Sequence, residues 1–137
     1  MSQSYRIAHA LDRVVRRIDA QMHGRMREVD TARIGQLGGL ALLHLDEMQP
    51  CSIHALCDRM GRDNSQMTRV IRGLETKGVV ARSGDPSDGR VSLLHLTPMG
   101  KSFIEEMKTQ LSEVVNEATA TLTGCEREVL LRLLEKL

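Results

Sequence analysis

Asp88-Gly89-Arg90-Val91-Ser92-Leu93-Leu94-His95-Leu96-Thr97-Pro98-Met99-Gly100 is the stretch that decides the fold. Just before and within it, Gly84, Pro86, Ser87 and Gly89 supply the turn chemistry of a hairpin tip. Val91 to Leu96 is rich in strand formers. Thr97 is placed to cap a helix through its hydroxyl. Pro98 suits the first helical turn, where its missing N–H is not needed. The spacing predicts a hairpin, a strand and a helix start, with Arg90 held at the rim of the hairpin.

Working back from the hairpin, Ser52 is a cap for a short helix. Its Ile53, Leu56, Cys57 and Met60 repeat as one apolar face, and Gly61 ends it. Asp63, with Gln66 three residues on, opens the next helix as an Asp variant of the capping box. There Met67, Val70, Ile71 and Leu74 share one face. At about 100° per residue, Ser65, Arg69, Arg72 and Thr76 fall on the opposite face, flanked by Gln66 and Thr68. That stripe is polar and cationic, with side chains suited to base edges: Arg to guanine, Gln to adenine, Ser to either. A merely solvated face is the plain alternative. Two short helices joined at a glycine, followed by an Arg-tipped hairpin, outline a winged helix-turn-helix and point to DNA.

The same residues carry a family resemblance. Asp88-x-Arg90, then Leu94-x-Leu96-Thr97-x-x-Gly100, closely resembles the wing signature of MarR-type bacterial transcriptional regulators. Thr68-Arg69, Leu74-Glu75 and Gly78-Val79-Val80 resemble that family's recognition helix and the strand after it. The resemblance covers nearly the whole chain and is strongest from Ser52 to Gly100. It implies a mainly α fold with a small β-wing, a winged helix-turn-helix on a helical dimerisation platform. One domain would span residues 1–137, with the core at about 31–100 and dimerisation helices at about 4–24 and 98–137. The implied function is a homodimeric repressor that binds a pseudo-palindromic double-stranded operator and is released by a small-molecule effector. Ser65, Gln66, Thr68, Arg69 and Arg72 would meet major-groove bases and phosphates. Arg90 would enter the adjacent minor groove, drawn by the negative potential of narrow A/T-rich stretches. Asp88 would orient the wing or an arginine beside it.

Composition fits this reading. Net charge is only +1, but residues 59–90 hold seven basic and four acidic residues, a local net of +3. Residues 101–137 hold five basic and seven acidic residues, a net of −2. No run is long enough to span a membrane and the N-terminus lacks a signal-peptide pattern, so a cytoplasmic location is expected. Aromatics are limited to Tyr5 and Phe103, while eight methionines offer an adaptable interior.

The flanks read as helices. Ile7, Leu11, Val14, Ile18 and Met22 make one face of a long first helix, with Gly24 and the charged stretch from Arg25 to Asp30 marking its end. Thr31 is a cap for a second helix to about Glu47, with Ile34, Leu37, Leu42 and Leu45 apolar. Gly35, Gly38 and Gly39 are unexpected there, at ~1 kcal/mol each relative to alanine. Either something packs very close to that helix or it is irregular. Ile104, Met107, Leu111, Val114 and Ala118 form a coiled-coil-like seam in a later helix. Thr123 with Glu126 forms a capping box for a last helix carrying Leu130, Leu133, Leu134 and Leu137. These arms leave apolar stripes that a second subunit would cover.

Sensing residues are less distinct. Gly38 and Gly39 stand where relatives often carry a polar and an aromatic side chain, and so are the candidate effector-pocket residues. The alternative to a small molecule is a metal- or thiol-switched repressor. Yet His9, His23, His44, His54 and His95 form no compact ligand pattern, so no metal and no cofactor is expected. An odd count of three cysteines, in a chain without a signal-peptide pattern, argues against a disulfide framework. Cys57 lies on an apolar face, Cys125 in the first turn of the last helix, and Cys51 before a helix N-terminus, where a thiolate would be stabilised. MarR-like peroxide sensors usually place the reactive cysteine in the first helix, which here has none. No phosphate loop, nucleophile elbow or other catalytic constellation occurs, so an enzyme is not expected. A winged-helix protein-interaction module, the remaining alternative, would have lost its outward arginines, and this chain keeps them.

Overall fold

Gly61 and Gly78 punctuate the middle of the chain. Both take left-handed backbone, at φ 61° and 78°, where a side chain is strained. Each follows a helix: α3, Ile53–Met60, and α4, Asn64–Thr76. Beyond α4 the Gly78 N–H donates to the Glu75 carbonyl and the Val79 N–H to the Leu74 carbonyl, the paired bonds of a Schellman ending. The start signals also act locally. The Ser52 hydroxyl accepts from the Ala55 N–H at 3.1 Å. The Asp63 carboxylate accepts from the Ser65 N–H at 3.1 Å. Asp63 caps through the second helical residue rather than the third, and Gln66 makes no reciprocal bond, so the expected capping box does not form and the Gln66 amide stays free.

The computed structural model describes the whole chain, residues 1–137. The order of elements is α1 (Gln3–Val29), α2 (Gly35–Met48), α3, α4, β1 (Val80–Asp85), β2 (Asp88–Leu96), α5 (Pro98–Ala118) and α6 (Gly124–Leu134). The chain divides into two compact units, one made of Met26–Lys108 and one of Met1–Arg25 with Thr109–Leu137.

In the unit Met26–Lys108, α2, α3, α4 and the base of the hairpin share one core. Leu42, Leu45, Leu56, Met67, Ile71, Leu74, Val79, Leu94 and Ile104 are essentially inaccessible to solvent. The two strands are antiparallel, from Val80 opposite Leu96 to Asp85 opposite Asp88, with a register shift at Gly84/Asp85. The wing strand is longer than expected, starting at Asp88 rather than Val91. Neither Gly84 nor Gly89 takes positive φ. The tip is closed instead by the Asp85 carboxylate, which accepts from the Ser87 N–H at 2.9 Å and its hydroxyl at 2.7 Å. At the hairpin's base, Thr97 donates to the Gly78 carbonyl and accepts from the Gly100 N–H at 3.1 Å, capping α5 as expected.

Two element boundaries differ from the sequence expectation. Helix α1 does not stop at Gly24 but continues to Val29. One residue past the glycine, Arg25 reaches α5, donating to Gln110, Glu113 and Glu117. These bonds hold the helix through a residue whose propensity cost is only ~1 kcal/mol. Thr31 does not cap α2. The Asp30 carboxylate does so, accepting from the Ile34 and Gly35 N–H groups at 2.7 and 2.8 Å.

Gly38 and Gly39 are explained by close packing within a regular helix, whereas Gly35 has open space around it and starts α2 in left-handed backbone at φ 77°. A Cβ on Gly38 would lie 2.9 Å from Ile34 Cγ2 and 3.3 Å from Leu74 Cδ2, and one on Gly39 would lie 3.1 Å from Met107 Sδ. The space at Gly39 is therefore filled by α5.

The seam on α5 is not stranded. Ile104, Met107 and Val114 are 0%, 7% and 0% exposed within the single chain. Most exposed apolar residues lie in the unit of the chain ends, among them Ile7, Leu11, Val14 and Val15 on α1 and Leu130, Leu131, Leu133 and Leu134 on α6, while Leu40 and Met99 are exposed in the other unit. No helix is long and apolar enough to cross a membrane.

Candidate nucleic-acid interface

Burying one face of α4 turns its opposite face to solvent. Met67, Ile71 and Leu74 are buried, while Ser65, Gln66, Arg69, Arg72 and Thr76 are exposed. Thr68 is half-buried, and its hydroxyl donates to the Asn64 carbonyl at 2.7 Å. It keeps an acceptor lone pair but spends its proton on its own helix. Thr76 does the same toward Arg72 at 3.0 Å.

The cations separate into committed and free. Arg59 pairs with Glu47, Arg82 with Glu75 at 2.8 Å, and Arg90 with Asp88. The Lys77 ammonium donates to the Arg33 carbonyl at 2.6 Å. Arg62, Arg69 and Arg72 make no hydrogen bond or ion pair with the rest of the chain through their side chains. An unpaired surface guanidinium gains most from an incoming phosphate or carboxylate, because no internal partner is given up. Arg62 lies in the turn between α3 and α4, outside the helical stripe that periodicity picks out. Its membership of the basic cluster was the signal that could have found it.

Asp88 and Arg90 form one local unit on the wing. The Asp88 carboxylate accepts from the Arg90 backbone N–H at 3.1 Å and from its Nε at 3.2 Å, with Nη2 at 3.5 Å. The guanidinium, and then the backbone N–H, hold the Asp88 carboxyl below the ordinary carboxylate range. The Arg90 side chain is 92% exposed. Of the two roles expected for Asp88, the structure therefore has it holding the arginine two residues on.

Cys51 is not the thiolate its position suggested. It is buried, and its backbone pairs with β2: its N–H donates to the Leu94 carbonyl at 3.2 Å, and its carbonyl accepts from the Leu94 N–H at 2.7 Å. Burial pushes the Cys51 thiol up, opposite to activation. Cys57 is also buried and raised, first by desolvation and then by Asp58 and Asp63. Cys125 alone is exposed.

Gly38 borders an open groove of about 370 Å³ between α2 and α4, shared with Ile34, Leu37, Arg69, Gly73 and Lys77. Gly39 is not part of it and faces Met107.

Comparison with known proteins agrees with this geometry. Residues 39–92 match the model of the MarR family. The chain is 30% identical over 96 residues to the uncharacterized HTH-type transcriptional regulator YdgJ of Bacillus subtilis, covering 70% of this chain but only 57% of that protein. It is 30% identical over 110 residues to the HTH-type regulator YxaD of the same organism, covering 80% of this chain and 77% of that one. Among solved structures it is similar to Bordetella bronchiseptica BpsR, whose DNA binding is described as regulated by 6-hydroxynicotinic acid. That likeness has a TM-score of 0.73 and 26% identity, and covers 96% of this chain and 97% of the other.

Proposed function

The chain belongs to the MarR family of winged helix-turn-helix transcriptional regulators, and from that premise we propose that it acts as a homodimeric repressor released by a small organic ligand. The observation that carries the DNA reading is the set of uncommitted arginines, Arg62, Arg69 and Arg72, on the exposed side of the helix-turn-helix. In this reading Arg69 and Arg72, with Ser65, Gln66 and Thr68, occupy a major groove. Arg90, oriented by Asp88, enters the minor groove beside it. Arg62 takes a backbone phosphate.

A dimer is supported by the exposed apolar residues of α1 and α6, which a second copy would cover. The two recognition helices would then read half-sites about 10 bp apart, centre to centre. An effector site is supported at the Gly38 groove, whose lining combines apolar Ile34, Leu37 and Leu74 with the Arg69 and Lys77 cations and so suits a small organic anion. Occupation there would compete with DNA for Arg69. A thiol switch through Cys51 is disfavoured by its burial.

The test is selection of duplexes from a random pool, followed by affinity measurements across a salt series. Arg69→Ala and Arg72→Ala should each weaken binding, and each should lower the salt slope by about 1 if its guanidinium neutralises one phosphate. A chain that selects no duplex, or variants that bind like the parent, would overturn the reading. For the effector, Gly73→Phe should fill the groove and abolish the thermal shift given by a panel of small organic acids. A shift that persists removes this groove.

A further inference from the structure

The wing has one side-chain tie to the recognition helix. Arg82, on β1, donates from Nε to Glu75 Oε1 on α4 at 2.8 Å, and both side chains are about one-third exposed, at 35% and 30%. Farther out, the side-chain bonds of the hairpin stay inside it: Asp85 with Ser87, and Asp88 with Arg90. On the inner side, Val80, Leu94 and Leu96 anchor the base in the core, while Arg82, Ser83, Gly84, Gly89, Arg90 and Ser92 are exposed. An isolated two-stranded hairpin is marginal in water. Its angle to the rest of the domain is set where it is last attached.

We infer that Glu75 is a positioning residue for DNA recognition: through Arg82 it fixes the angle of the wing against the recognition helix, and so where Arg90 lies relative to Arg69 and Arg72. The inference rests on the DNA-binding reading above. A part-exposed ion pair adds little to stability, so its role lies in geometry. It also carries an unusual sign. Glu75 is a carboxylate among cations on a face that meets phosphates. As a mere charge it opposes binding, and removing it would free Arg82 and tighten binding to any duplex. As a positioning group it lowers non-specific affinity while raising the specific one.

Glu75→Ala is the experiment, with the exchanged pair Glu75→Arg/Arg82→Glu as the control of equal net charge. Affinity is measured for the duplex selected by the parent chain and for its scrambled version. Amide hydrogen exchange of residues 83–92 is followed in the free protein. In Glu75→Ala, the ratio of selected to scrambled affinity should fall about tenfold, the scale of one mismatched base pair. Scrambled binding should hold or rise, and wing amides should exchange several-fold faster. The exchanged pair should recover most of the ratio and the protection. Equal changes in both affinities, an unchanged ratio, or unchanged wing exchange would overturn the inference. If the parent chain selects no duplex, the DNA reading itself fails, and the exchange measurement alone decides whether Glu75 holds the wing.

Discussion

At the residue scale, Gly100 is the sharpest constraint. A Cβ there would overlap the Val79 carbonyl oxygen, which also accepts from the Thr97 N–H at 3.1 Å. Helix propensity favours alanine over glycine by ~1 kcal/mol, so Gly100→Ala should stabilise α5 if packing did not matter. The overlap is with backbone, which cannot rotate away. The variant should therefore lose about 1–3 kcal/mol in chemical denaturation, and an unchanged or higher midpoint would contradict the placement of α5. The cysteines give a second test. In the native chain one thiol, Cys125, should react promptly with a disulfide reagent, and Cys51 and Cys57 only on unfolding. Rapid reaction of Cys51 would restore the oxidant-sensing reading. Asp88 supplies a pH test. Its folded carboxyl is depressed by the Arg90 guanidinium, so its contribution is complete above the ordinary aspartate value and lost as pH falls through the depressed one. The Arg90 amide resonance should stay constant from neutrality to about pH 4 and move only below it. A midpoint at or above the ordinary aspartate value of about 3.9 would show that the bond is not made.

At the element scale, the recognition helix and the wing should fail differently. Arg90→Ala removes a cation from a site 92% exposed to solvent. It should weaken binding to many sequences and lower the salt slope by about 1. Ser65→Ala and Gln66→Ala remove no charge. Gln66 is uncommitted in the free chain. Both variants should relax preference at particular operator positions by ~1–3 kcal/mol while leaving scrambled binding nearly intact. Identical patterns for the two classes would mean that the helix does not read bases. The caps show why these elements were legible. Ser52, Asp63, Thr97 and Thr123 each act within a few residues of themselves, so their pattern suffices. Thr31 misled because Asp30, one residue earlier, offers a charged acceptor to the N–H groups of both Ile34 and Gly35.

For the molecule as a whole, the decisive surface is the apolar residue set on α1 and α6. Sedimentation at micromolar concentration should give about twice the chain mass, and Ile7→Glu with Val14→Glu should give a folded monomer. A parent chain that sediments as a monomer would remove the platform. Val114→Asp should behave differently, unfolding the chain by burying a charge at a position 0% exposed. The sequence by itself determined the winged helix-turn-helix, because periodicity, caps and left-handed glycines are local signals within a turn or two of the residues they govern. It also determined which face of α4 points outward, since 3.6-residue periodicity separates Arg69 and Arg72 from Ile71 and Leu74. Tertiary structure decided the rest. Which apolar stripe is covered depends on what packs against it: α5 buries its seam inside the chain while α1 and α6 keep theirs exposed. Which arginines remain free depends on carboxylates distant in sequence or on another element. Arg59 meets Glu47 from α2, and Arg82 meets Glu75 from α4. Charge pairing and burial are properties of proximity in space, and no period or spacing along the chain encodes them.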